Sequence, residues 1–274
     1  MRIKKFVLYF TALLDVVLIT LSFSFGYASE VFFVQAAHSE RSVYSWYYMP
    51  RTDGVQPEPE ESMRFIYNYN AYSAGDPKEK IIYLTFDAGY ENGFTGKILD
   101  TLKKHGVTAA FFIVEHYIKT NSDLVNRMVN EGHLVCNHST NHKDMANMTD
   151  FNSFKKEISQ IEDTYYKVTG KRMPKYFRPP EGKFSELCLK YAQELGFSTI
   201  FWSFAYKDWY VDNQPDAQSA ISTIISRTHP GEIALLHATS RTNSEILDQV
   251  LTEWENMGYT MRNLNYLVTT YDPK

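Results

Sequence analysis

The chain has 274 residues, room for one large domain or two small ones, and a 44% hydrophobic content that can fill a sizeable core. A net charge of -4 excludes the global positive field that nucleic-acid binding calls for. Its 2 cysteines, Cys136 and Cys188, are no disulfide framework, and an aromatic content of Tyr 20 and Phe 18 suits either a packed core or surfaces that stack on sugar rings.

In chain order, Arg2, Lys4 and Lys5 precede an apolar stretch from Phe6 to about Tyr27. Gly26 and Ala28 supply small residues at a candidate cleavage point. Residues 1–30 therefore read as an export signal or an uncleaved membrane anchor, with Asp15 disfavouring a stable lipid-facing helix. The basic end stays inside and the rest is sent out, so the expectation is a secreted or membrane-anchored protein. Residues 31–80 show no useful periodicity apart from a short helix near Ser62–Tyr69. Pro50, Pro57, Pro59 and the acidic Glu58, Glu60 and Glu61 mark a linker or N-terminal extension packing on the main domain, or a disordered tether.

From 81 to 274 strands and helices alternate. Strands are expected at Ile81–Gly89, Thr108–Val114, His133–Asn137, Tyr176–Arg178, Ser198–Trp202, Glu232–Leu236 and Tyr259–Arg262. Between them fall helical patterns at Phe94–His105, Ser122–Glu131, Asn152–Thr169, Ser185–Leu195, Pro215–Ser226 and Asn243–Met257, with a short one near Leu264–Val268. Several end on a glycine, such as Gly106, Gly132, Gly170 and Gly258. Cys136 lies in an apolar run and Cys188 in a helical one, so both are expected as buried thiols. About seven repeats of this kind predict an α/β fold with parallel strands, in a distorted or incomplete (β/α) barrel. Charged residues such as Lys155, Lys156, Glu157 and Glu162 are read as helix surface without function.

In such folds the carboxyl ends of the strands converge on one pocket. Asp87 ends the first strand, where it is either a charge with a purpose or the cap of the next helix. His138 and His142 follow the third. Their spacing of four would set both rings on one side of a helical turn, able to grip a divalent metal. Arg178 follows the fourth and is stiffened by Pro179 and Pro180. Beside a carboxylate it would keep the acid ionised. Asp208 and Trp209 follow the fifth strand, and Asp208 could hold a histidine protonated as a general acid. His237 ends an apolar strand, where an unpartnered imidazole would be costly.

The ordered set Thr85-Phe86-Asp87-Ala88-Gly89, His138-Ser139-Thr140-Asn141-His142, Arg178-Pro179-Pro180-Glu181-Gly182, Asp208-Trp209 and Leu235-Leu236-His237 resembles the five motifs of the polysaccharide deacetylases. That is the NodB-homology family, carbohydrate esterase family four. The run Asp87-Ala88-Gly89-Tyr90-Glu91-Asn92-Gly93, Phe201-Trp202-Ser203 and His229-Pro230-Gly231 resemble its peptidoglycan N-acetylmuramic acid deacetylases, which lead to muramic δ-lactam in spore cortex. The resemblance implies Asp87 as general base, His237 as general acid, Arg178 orienting the base and Asp208 tuning the acid. It implies one divalent metal ion on His138 and His142, with zinc first and manganese, cobalt or magnesium as alternatives. Leu235, Trp209, Tyr90 and the backbone N–H of Glu181 would meet the substrate, a peptidoglycan glycan strand. No nucleic-acid partner is expected, and membrane contact only through the N-terminal segment. Alternatives are the same chemistry on N-acetylglucosamine, chitin-like or acetylxylan chains, or a silent glycan-binding protein. One departure stands out: Ala88 occupies the place of the family's usual aspartate ligand, an aspartate that the muramic acid group also lacks as a rule.

Overall fold

The computed structural model describes residues 40–273. The predicted export segment and residues 31–39 lie outside them. Among the described residues no helix is long and apolar enough to cross a membrane. Val43–Lys274 forms one compact unit.

Its centre is a parallel sheet built on β3 (Ile81–Ala88). To one side lie β4 (Ala110–Ile113), β5 (Leu134–Asn137), β6 (Tyr176–Phe177), β8 (Ser198–Ile200) and β2 (Ala71–Tyr72); to the other lie β10 (Glu232–His237) and β9 (Phe204–Ala205). A further strand, β11 (Thr260–Met261), pairs with the start of β3. The sheet is the distorted, incomplete barrel that the alternation predicts. Among the described residues it has nine strands rather than seven. The two extra ones, β2 and β9, are two residues long, too short for any periodicity to register.

Among the described residues eight α-helices pack around it. They are α1 (Thr95–Lys104), α2 (Glu115–Thr120), α3 (Ser122–Asn130), α4 (Phe151–Thr169), α5 (Glu186–Glu194), α6 (Ala217–Arg227), α7 (Arg241–Asn256) and α8 (Leu264–Thr270). Only α2 escaped the sequence reading, because six residues carry less than two turns of pattern. Asp150, Ser185, Asp216 and Ser240 each accept a backbone N–H at a helix start, which fixes where those helices begin. Cys136 and Cys188 are free and buried.

The period of 2 along β3 sorts its residues. Ile82, Leu84 and Phe86 join the core beneath the helices, with Leu99, Phe111, Leu247 and Trp254. Ile81 and Tyr83 belong to a second cluster with Phe112, Ile200, Ile233 and Leu267. Thr85 and Asp87 continue that same face, so Asp87 ends a buried column. α1 starts at Thr95, with Phe94 before it, so Asp87 caps no helix.

The segment before β3 is part of the same unit. The boundary read at residue 81 falls inside Val43–Lys274. β1 (Tyr44–Ser45) pairs antiparallel with β7 (Lys183–Phe184), a 3-10 helix spans Glu61–Tyr69, and β2 pairs with β8. Trp46 is buried, stacks on Phe201 with ring centroids 4.6 Å apart, and donates its indole N–H to the Trp202 carbonyl at 2.8 Å. It also lies against Gly182, where a Cβ would come within 2.7 Å of the Trp202 ring and 3.1 Å of the Trp46 Cβ. These contacts are long-range, which is why no local pattern announced them. Trp46→Ala is therefore expected to lower stability by about 3–5 kcal/mol, measured by urea unfolding; a tether would give no change.

Candidate active site

The sheet register sets the site. His237 of β10 pairs directly with Asp87 of β3, and Phe112 of β4 pairs with Asp87 on the other side. His138 is the first residue after β5 and Arg178 the first after β6, where its N–H donates to the Asn137 carbonyl at 3.0 Å. The carboxyl ends of these strands surround an open cavity of ≈ 630 Å³, lined among others by Asp87, Tyr90, His138, His142, Trp209 and His237.

Arg178 has no exposed surface. Its Nη1 donates to Asp87 Oδ1 at 2.6 Å and its Nη2 to Thr85 Oγ1 at 3.0 Å. Nε donates to the Ile200 carbonyl at 3.0 Å, and the guanidinium lies 4.1 Å from the centroid of Phe112. A planar fork with this many fixed acceptors is rigid. Burial alone would raise the Asp87 pKa, but the Arg178 charge, helped by the two histidines, holds it below the usual carboxylate value. Asp87 is thus ionised, and Oδ2 is the oxygen that Arg178 leaves free.

The two histidines, His138 buried and His237 half-buried, are anchored alike and charged differently. His138 Nδ1 donates to the Arg178 carbonyl at 2.8 Å, which turns Nε2 toward Asp87 Oδ2, 3.7 Å away. Burial pushes its pKa down to about 4, leaving a neutral imidazole with a free lone pair. His237 Nδ1 instead donates to Asp208 Oδ1 at 2.7 Å, and its backbone N–H donates to Asp208 Oδ2 at 2.7 Å. Burial would lower the pKa here too, but the charge and hydrogen bond of Asp208 outweigh it and raise the value. Asp208 is fully buried and takes a further bond from Asn243 Nδ2 at 2.6 Å.

His138 and His142 do meet, with ring centroids 5.0 Å apart, but not on a helical turn as the spacing suggested. Residues 138–142 form a loop with Ser139 at φ 66 and His142 at φ 54. Left-handed backbone at both positions, rather than helical periodicity, brings the rings together.

The residues expected to meet substrate are divided. Tyr90 and Trp209 are exposed and line the cavity, with the Trp209 ring 5.6 Å from that of His237. Leu235 shares His237's face of β10 one pleat deeper; it is buried and outside the cavity lining. Glu181 is exposed at φ 57, its side chain pairs with Lys183 at 2.5 Å, and it also lies outside the lining. Thr85 and Asn243 were missed. Thr85 stood in a quoted motif without a role; Asn243 gave no signal, since only the fold sets α7 against Asp208. Glu157 was misread as surface and is buried. The signal was there: it falls on the apolar stripe of Phe154, Ile158, Ile161 and Tyr165.

The polysaccharide deacetylase family pattern matches residues 74–200. The peptidoglycan-N-acetylmuramic acid deacetylase PdaA of Bacillus subtilis (strain 168) is 45% identical over 203 residues, 74% of this chain and 77% of that one. The chain belongs to the polysaccharide deacetylase family. A solved structure of Bacillus subtilis PdaA, described as a family 4 carbohydrate esterase, superimposes with a TM-score of 0.81 at 39% identity, covering 84% of this chain and 98% of that one. A peptidoglycan-N-acetylglucosamine deacetylase of Bacillus cereus is 31% identical over 193 residues, 69% of this chain and 68% of that one.

Enzymes of this deacetylase family generally depend on a divalent metal. Among the described residues no set of three or more His, Cys, Asp or Glu side chains is gathered to hold one, as expected with the buried Ala88 at the end of β3. The donor chemistry still fits a weakly held ion. His138 is neutral, its Nδ1 is committed to a carbonyl and its Nε2 is free, the arrangement that orients a ligating imidazole. Two imidazoles suit zinc and neighbouring transition ions better than magnesium.

The His237–Asp208 pair gives a pH test for this polysaccharide deacetylase. With His237 in its expected role of general acid, activity falls as pH rises through its pKa, which Asp208 holds up against burial. Asp208→Asn removes the charge but leaves the burial. The alkaline limb of the kcat/KM profile is then expected to move to lower pH, read as acetate release across a pH series.

Proposed function

We propose that this cavity hydrolyses the N-acetyl group of a peptidoglycan sugar, most suitably N-acetylmuramic acid already stripped of its peptide. The observation that carries the reading is the adjacent pair on β3 and β10: an ionised Asp87 beside His237 with a raised pKa. One group takes a proton and its neighbour gives one, as amide hydrolysis requires.

A divalent ion held by His138 and His142, zinc by preference, would polarise the acetamide carbonyl when bound. Asp87 Oδ2 takes the proton of the attacking water, and Arg178 keeps Asp87 ionised and aimed. His237 Nε2 gives a proton to the departing nitrogen, while Asp208 fixes the ring and stabilises its charged form. Trp209 and Tyr90 offer rings to the sugar faces. The muramic acid choice is supported by the relatedness to PdaA, by Ala88 standing where the family resemblance implies an aspartate, and by one feature of the cavity wall. Lys119 lines it, with Nζ held 2.7 Å from Glu115 Oε2, and an ammonium there suits the lactyl carboxylate that glucosamine lacks. After acetate leaves, the freed amine can close on that carboxyl with loss of water, giving the δ-lactam of spore cortex. A cell-wall substrate agrees with export directed by the basic and apolar N-terminal residues.

Acetate release from peptide-stripped glycan, with mass spectrometry of the product, tests the reading. Asp87→Asn and His237→Ala are each expected to cut turnover by at least about 10²-fold; retained turnover in either removes the mechanism. Deacetylation with subsequent loss of one water supports muramic acid, whereas acetate lost only from glucosamine overturns that choice. Chelation is expected to stop acetate release and added zinc to restore it.

A further inference from the structure

The loop that carries the two histidines is not held by its own backbone. His138 is tied at both ends of its residue, by its N–H to the Ile113 carbonyl at 3.1 Å and by Nδ1 to the Arg178 carbonyl. His142 is exposed and sits at φ 54, a conformation that side chains hold only when their surroundings enforce it. The enforcement comes from one buried residue of α4. Glu157 Oε1 accepts the Asn141 N–H at 2.6 Å, and Oε2 accepts Asn141 Nδ2 at 3.0 Å. Lys143 Nζ reaches Oε2 at 3.2 Å. The Glu157 carbonyl accepts both the N–H and the Oγ1 hydroxyl of Thr140, at 3.1 and 2.6 Å. One residue therefore grips positions 140, 141 and 143, on both sides of His142.

A buried carboxylate is costly unless its oxygens are used. Here both are used, and on the segment that joins the two imidazoles. We propose that Glu157 is a positioning residue for the metal pair: it sets where His142 stands relative to His138, and so how tightly a divalent ion is held. This rests on the reading of His138 and His142 as ligands. Ala88 supplies no third ligating side chain next to the two rings, so the grip matters more.

The experiment is Zn²⁺ binding to the full chain, by calorimetry and by competition with a chromophoric chelator, alongside circular dichroism. Outer partners of metal ligands are worth about 10–100-fold in affinity, so Glu157→Ala is expected to bind Zn²⁺ that much more weakly. Glu157→Gln keeps an acceptor for the Asn141 N–H but loses the charge facing Lys143, and is expected to fall between. Lys155→Ala, on the exposed side of the same helix, is expected to match the unaltered protein. Unchanged Zn²⁺ affinity in a folded Glu157→Ala overturns the proposal. Should that variant fail to fold, Glu157→Gln with unaltered affinity overturns it instead. If the unaltered protein releases acetate yet binds no Zn²⁺, the histidine pair is not a metal site, and that failure is visible before any variant is compared.

Discussion

The site depends on a buried ion pair. Arg178 and Asp87 lie 2.6 Å apart, one fully buried and the other nearly so. Taking two such charges from water is expensive, and removing either partner of a buried pair typically costs about 3–5 kcal/mol. The pair persists because the fold supplies what water would have supplied. Thr85, the Ile200 and Phe201 carbonyls and the face of Phe112 complete the guanidinium's surroundings. Those partners come from β3, β4, β8 and the turn beyond β8, so forming the pair requires the barrel to have closed around it.

From that fixed carboxylate the remaining polarity follows. Two histidines flank Asp87, His138 buried and His237 half-buried, and both are anchored through Nδ1, yet their partners differ. A carbonyl holds His138 without favouring its charge, and burial leaves it neutral. A fully buried carboxylate holds His237, and the ring keeps its proton to higher pH. One imidazole is thereby suited to donating a lone pair and the other to donating a proton. Environment rather than residue type makes the distinction.

The segment ahead of the barrel supports the same machinery from outside. Trp46 bonds to the Trp202 carbonyl and its N–H reaches the Gly182 carbonyl at 2.9 Å. Tyr48 accepts the Ala205 N–H at 2.8 Å. These are the turn after Arg178 and the strand that leads toward Asp208. Trp46 and Tyr48 thus brace the Arg178–Gly182 motif segment and the strand ahead of Asp208, a role closer to structure than to tethering.

Much was legible in order along the chain. The apolar run ending on Asp87, the glycine-stopped helices and the five motifs are local patterns, and local patterns survive in sequence. They determined a parallel α/β barrel and singled out Asp87, His138, His142, Arg178, Asp208 and His237 as candidates, which the fold brings to the carboxyl ends of its strands. The tertiary structure decided what depends on pairs far apart. It put Asn243 on Asp208, Glu157 beneath the histidine loop and Trp46 on Gly182. It also replaced the helical turn at 138–142 with a left-handed loop. A spacing of four says which residues recur, whereas the backbone conformation between them is set by hydrogen bonds to a helix that begins nine residues later.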